Sequence, residues 1–126
     1  MQNEPRHPTH PLWIRYLFLA LAGAGAVLPW LANLAFMQQH GSSFDLALFV
    51  QLANANPAAA SLSRDLAVAA SAVTIWMVIE SRRLGMKGLV WVLLSCVTVA
   101  FAFGCPLFLY LRERRLAELA INTSVN

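Results

Sequence analysis

The sequence is short of charge. Lys, Arg, Asp and Glu make up 12% of its 126 residues, about half the roughly 25% with which soluble domains coat a water-facing surface. That scarcity argues against a soluble globular domain, and a hydrophobic content of 59% argues against disorder. Two cysteines, Cys96 and Cys105, are too few to staple a fold. The chain has no Gly-rich phosphate loop, no H-E-x-x-H helix and no nucleophile elbow, so no catalytic, cofactor-binding or metal-binding residue is assigned. His7 and His10 have a spacing that metals tolerate, but they sit in a proline-bearing polar tail with no further ligand nearby. Nine Lys and Arg against six Asp and Glu read as anchors flanking membrane segments, and no nucleic-acid partner is expected.

What the chain has in quantity is long uncharged runs. A helix crosses a bilayer with about 20 residues. The run from Tyr16 to Met37 carries no charge, and Trp13, Arg15 and Tyr16 mark its start with side chains suited to the headgroup zone. The run from Leu89 to Leu111 is equally clean, ending at Tyr110 and the cluster Arg112-Glu113-Arg114-Arg115. The middle run is harder to bound, because the residues between Asp65 and Glu80 cover only about 21 Å as a helix, against a hydrocarbon core of about 30 Å. Either Ser63 caps a helix beginning near Arg64 and the bilayer adapts, or Asn56 caps, Pro57 takes the first helical position and Arg64 and Asp65 fall about two turns inside.

These runs predict an all-α membrane fold in a single domain: a bundle of three transmembrane helices over 14–37, 57–80 and 88–111. Gly41-Ser42-Ser43 breaks the chain after the first, and the apolar segment 44–54, too short to cross, is expected as a short interfacial or re-entrant helix between the first and second spans, started by Ser42 or Ser43 and stopped near Asn54. Residues 1–12 read as a disordered tail and 116–126 as a polar tail, disordered after Ala120. The A-x-A patterns between Ala20 and Ala26 resemble a signal-peptidase site, but hydrophobicity continues through Phe36, as in an uncleaved anchor. Three spans put the termini on opposite sides. With the N-terminus cytoplasmic, five cations (Arg6, Arg15, Arg82, Arg83, Lys87) face four (Arg64, Arg112, Arg114, Arg115), and the tight Arg82–Lys87 turn favours that orientation in the inner, cytoplasmic membrane.

Helices in lipid associate through close backbone approach and hydrogen bonds. The small residues Ala20 to Ala26 in the first span, Ala67, Ala70, Ser71 and Thr74 in the second, and Cys96, Ala100 and Gly104 in the third offer such faces. Arg64, Ser71, Thr74 and Ser81 fall near one face, expected to point into the bundle. Pro29 and Pro106 each remove a helical hydrogen bond and are expected to kink their helices. Cys96 and Cys105, half a turn out of phase on one helix, would face opposite ways.

An ionisable residue within a span is a functional candidate by default. Asp65 is the foremost, with Arg64, Asn33, Asn54 and Asn56 as the polar groups that could face it; the plainer reading makes it a first-turn partner of the helix dipole. Glu80 is expected to pair with Arg83, one turn on, at the cytoplasmic end of the helix. Asp65 and Glu80 lie about 22 Å apart along one helix, too far to share acid–base chemistry.

Gly25 and Pro29, Gly41, the Asn54/Asn56 pair, Asp65-Leu66, Glu80 followed by Arg82-Arg83, and above all Pro106-Leu107-Phe108-Leu109-Tyr110-Leu111-Arg112-Glu113 together resemble a family of small bacterial integral membrane proteins catalogued only as a domain of unknown function. The resemblance covers about residues 14–115. It implies the membrane architecture and brings no activity, substrate or cofactor.

The expected function is therefore that of a non-enzymatic accessory or scaffold subunit, in contact with the lipid bilayer and with either a membrane-protein partner or further copies of itself. The alternatives are a small oligomeric transporter with Asp65 as its coupling site and, third, an enzyme modifying a lipid or isoprenoid with Asp65 or Glu80 as a lone acid.

Overall fold

The structure, a computed structural model, describes residues 10–41 and 43–125; the expected N-terminal tail lies almost wholly outside the described residues. Five helices follow one another: α1 (Leu12–His40), α2 (Leu46–Ala53), α3 (Pro57–Arg83), α4 (Leu89–Thr98) and α5 (Phe101–Val125). Among the described residues there is no strand.

Local chemistry sets most of the boundaries. α1 stops at Gly41, whose φ of 119° is open to glycine and strained for other residues. The Asp45 carboxylate accepts from the Leu48 N–H at 3.0 Å and starts α2. Asn56 does the same for α3, its Oδ1 accepting from the Ala59 N–H at 2.9 Å, with Pro57 in the first turn. The helix therefore begins at Pro57, the second of the two starts open from sequence. Ser63 does not cap; its hydroxyl donates to the Ala53 carbonyl at 2.9 Å and ties α3 to the end of α2. α3 ends in a Schellman turn: the Met86 N–H reaches the Ser81 carbonyl at 2.9 Å, the Gly85 N–H reaches Arg82 at 3.3 Å, and Gly85 takes the left-handed φ of 61° that this turn requires.

Two helices, α1 and α3, are long and apolar enough to cross a bilayer. The third expected span is not one helix. The run 88–111 divides into α4 and α5, which are joined by Val99 and Ala100 and fold back on each other. Gly104 packs so closely on Cys96 that a Cβ there would lie 3.1 Å from the Cys96 Cα. Val92 and Phe108 share one buried cluster with Met77 of α3, and Leu89 and Leu111 pack on it. In a continuous helix Val92 and Phe108 would stand about 24 Å apart. Three β-branched residues, Val97-Thr98-Val99, weaken the helix just before the reversal. The Thr98 and Ser95 hydroxyls meanwhile turn back onto the Leu94 and Val92 carbonyls, at 2.8 and 2.7 Å. The first arm, α4, is about 15 Å long, and α5, at 25 residues, runs on well past it.

The hairpin revises several expectations. Cys96 and Cys105 sit on facing helices, both as free thiols, and Ala100 lies at the reversal, outside any stripe with Cys96 and Gly104. Residues 116–125 are helical, the continuation of α5, and not a disordered tail. On α3, Arg64 and Ser71 are exposed, whereas Thr74 is half-buried and Ser81 buried.

α1 packs along α5 and meets α3 only by way of α2 and the hairpin. The stripe of α1 that faces inward runs through Phe18, Ala22 and Gly25. A Cβ on Gly25 would collide with the carbonyl group of Ala102, so the corresponding Cα–H points at that oxygen. Pro106, four residues on, has no N–H to give the Ala102 carbonyl. The carbonyl that proline leaves without its helical donor is thus the one that glycine admits to the contact, an arrangement suited to a weak Cα–H···O bond. Both Pro29 and Pro106 lie inside unbroken helices.

Gly25→Val should lower stability by about 1–3 kcal/mol through overpacking, measured as a lower unfolding midpoint in detergent. Gly23→Val is the matched control: nothing lies within 4 Å of a Cβ there, and the midpoint should stay within error of wild type.

Candidate functional site

The hairpin returns the chain to the end of α3 from which it left, and charges converge there. Glu80 is 5% exposed. The Arg83 guanidinium grips it with two bonds, Nε to Oε2 at 2.8 Å and Nη2 to Oε1 at 2.7 Å. Arg112, from α5, donates its Nε to the same Oε1 at 2.8 Å. The second arm of Arg112 reaches the buried Glu113 carboxylate at 3.2 Å, and its guanidinium lies 5.8 Å from the ring centre of Trp76. Trp76 in turn meets Phe108 edge-on, centroids 5.6 Å apart. Two carboxylates, two guanidiniums and an indole thus close the end of the α3–α5 contact directly above the Met77, Val92 and Phe108 cluster.

The helical register accounts for this arrangement. Trp76, Glu80 and Arg83 fall at i, i+4 and i+7 on α3, one face of the helix, while Phe108 and Arg112 stand one turn apart on α5. A fork of parallel N–H donors matches a carboxylate, so Arg83 locks the Glu80 rotamer before Arg112 arrives. A buried carboxylate is tolerated only when its lone pairs are met, and here both oxygens are. Among the described residues no buried side-chain N or O lacks a partner. With every acceptor occupied from within, the cluster is equipped to clamp two helices together.

The other singled-out residues lie apart. Asp65 and Arg64 are exposed on α3 and form no ion pair among the described residues. Asn56 is the cap of α3, and Asn54 donates to the Val50 carbonyl at 2.9 Å and closes α2. Asn33 is half-buried on α1. No hydrogen bond joins any of these five to another. Among the described residues no group of His, Cys, Asp or Glu has the makings of a metal site.

Arg112, Glu113 and Trp76 carry the cluster; in the sequence Arg112 and Glu113 mark the end of the apolar run and of the Pro106–Glu113 motif, and nothing there pairs them with Glu80. A straight third span sends Arg112 to the far side of a bilayer from Glu80, so linear spacing alone hides the contact. The charge count held the signal: refolding 88–111 as a hairpin converts a near-even division of cations into a lopsided one.

The class defined by this structure is a small all-helical chain with two apolar helices of span length and a hairpin of two further helices. The chain belongs to the family described as protein of unknown function DUF2834, whose model matches residues 16–114. That stretch takes in α1 from its second turn, the hairpin and the whole Glu80–Arg112 cluster. No curated protein and no solved structure matches the chain.

In a double-mutant cycle, Glu80→Gln and Arg112→Gln should show a coupling of about 1–3 kcal/mol in unfolding free energy, as expected for a buried charged pair. The Glu80 and Arg83 cycle should give a smaller coupling, because the Arg83 side chain is 55% exposed.

Proposed function

We propose that the protein is an integral component of the cytoplasmic membrane that acts without chemistry of its own, as an accessory or scaffold subunit. The observation that carries this reading is the state of α3. Among the described residues its first half is tied to α2 through Ser63, and Leu62, Leu66 and Val68 stand 73%, 58% and 71% exposed around Arg64 and Asp65. An aspartate facing hydrocarbon costs several kcal/mol unless another group pairs with it. A helix of about 40 Å that begins at Pro57 holds Asp65 about 12 Å from its start, so a second polypeptide, a partner subunit or another copy of the chain, is the natural cover for this face. The same unpartnered Asp65 supports the second reading, a small oligomeric transporter in which it takes up a proton or cation; Asp65→Asn would then abolish transport while leaving the protein's level in the membrane unchanged.

On this reading α1 and α3 cross the bilayer, α4 and α5 dip in and return, and α2 lies at the far interface. Both ends of the chain then share one side. Arg15, Arg82, Arg83, Lys87, Arg112, Arg114 and Arg115 fall on that side and Arg64 on the other, seven cations against one among the described residues. Short loops rich in Lys and Arg stay in the cytoplasm, so that side is cytoplasmic.

A reporter fused after Val125 should be active only in its cytoplasmic form; activity on the outer side would contradict the arrangement. A photo-crosslinking residue at Leu66 should give an adduct of higher mass with a membrane protein or a second copy. An uncrosslinked chain alone, recovered intact after irradiation, would overturn the accessory reading.

A further inference from the structure

Beside the Glu80–Arg112 cluster, an open cleft of about 460 Å³ lies between the α3–α4 turn and α5. Three of its lining residues are cations, Lys87, Arg114 and Arg115, against one carboxylate, Glu118; Met86 and Leu111 supply apolar wall. Arg115 is fixed in place. Its Nε donates to the Leu84 carbonyl at 3.0 Å and its Nη1 to Glu118 at 3.3 Å. Its Nη2 lies over Gly85, 3.7 Å from where a Cβ would sit, and has no acceptor among the described residues. Lys87 and Arg114 are exposed and form no ion pair among the described residues. The reversal between α4 and α5 is what brings Arg114 back to the same cleft as Lys87, two residues that a straight helix would separate by about 40 Å.

We propose that this cleft binds the phosphate of an anionic phospholipid headgroup. The inference rests on the membrane reading above, which puts the cleft at the cytoplasmic headgroup level. One cation is pre-positioned with a spare donor and two more are unclaimed, which suits a phosphodiester with a net negative charge. Leu111 is the last residue of the uncharged run and Met86 is its apolar counterpart in the turn, so the cleft opens beside the lipid-facing surface. A soluble phosphate has no use for those two side chains; a lipid, whose glycerol and upper acyl carbons follow its phosphate, does.

The test uses the full-length protein, delipidated in neutral detergent, and phosphatidylglycerol or phosphatidylcholine of matched chains, with bound lipid counted by native mass spectrometry at low salt. Wild type should prefer phosphatidylglycerol, and Lys87→Gln with Arg114→Gln should weaken its binding about fivefold per cation removed, leaving phosphatidylcholine unchanged. Both residues are exposed, and Arg115 is kept, so the fold is preserved; an unfolding midpoint equal to wild type verifies this. Equal retention of both lipids, or a preference that survives the double substitution, would overturn the proposal. So would displacement of phosphatidylglycerol by glycerol 3-phosphate at equal concentration, which would make the ligand a soluble phosphate. Alkaline carbonate extraction of cell membranes separates the two levels: release of the chain would refute the membrane reading, whereas retention without lipid preference would refute this inference alone.

Discussion

The structure depends on the contact between Glu80 and Arg112. These residues are 32 positions apart in sequence and 2.8 Å apart in space. A carboxylate so little exposed is stable only with its acceptors filled, and Arg83 alone, half in solvent, does not shield it. Arg112 completes the set and in doing so fixes where α5 must pass the end of α3. With Arg112 at the end of α3, the intervening chain connects them as a helix out, a reversal and a helix back, which pairs its backbone groups internally. The buried cluster of Met77, Val92 and Phe108 then forms beneath the charges, and Trp76 bridges the two layers.

The second constraint is steric. The return arm of the hairpin must lie along α1, and the contact is made at one point by removing a side chain and at the other by removing an N–H. Gly25 supplies the first and Pro106 the second. Since helices in lipid gain little from hiding apolar surface, such close backbone approach is the main non-polar source of helix–helix affinity available to them. α3 makes no comparable contact with α1. Its first half is left to whatever covers Arg64 and Asp65, and the fold is correspondingly closed at one end and open at the other.

Much of this was legible in the residues. The cap at Asn56, the proline in the first turn of α3, the glycines at the two turns and the two long apolar helices all follow from local chemistry that needs no partner, whereas α2, expected to start at Ser42 or Ser43, is capped by Asp45. The Glu80–Arg83 pair is equally local, one helical turn apart. The hairpin was not legible in the same way. Leu89 to Leu111 is uncharged and long enough to span, and hydropathy cannot distinguish a helix that crosses from two half-helices that return, because both bury the same residues. Val97-Thr98-Val99 is a mild signal against continuity, weaker than a glycine or a proline would be, and the proline present, Pro106, stands inside the returning helix and not at its break. What decides for the hairpin is non-local: the pairing of Arg112 with Glu80 and the packing of Gly104 on Cys96. Asn56 serves as the α3 cap that one reading of the sequence gives it, and Asn54 closes α2.

The central claim is that the third apolar run turns back on itself, and the distance between its two ends tests it most directly. Spin labels on Lys87→Cys and Arg114→Cys, in a background with Cys96 and Cys105 replaced by serine and the protein in lipid bilayers, report that distance by pulsed electron resonance. Both positions line one cleft in the hairpin, so the labels should stand less than about 20 Å apart; a distribution centred near 40 Å, the length of an unbroken helix of that many residues, would contradict the hairpin and with it the account of the Glu80–Arg112 contact.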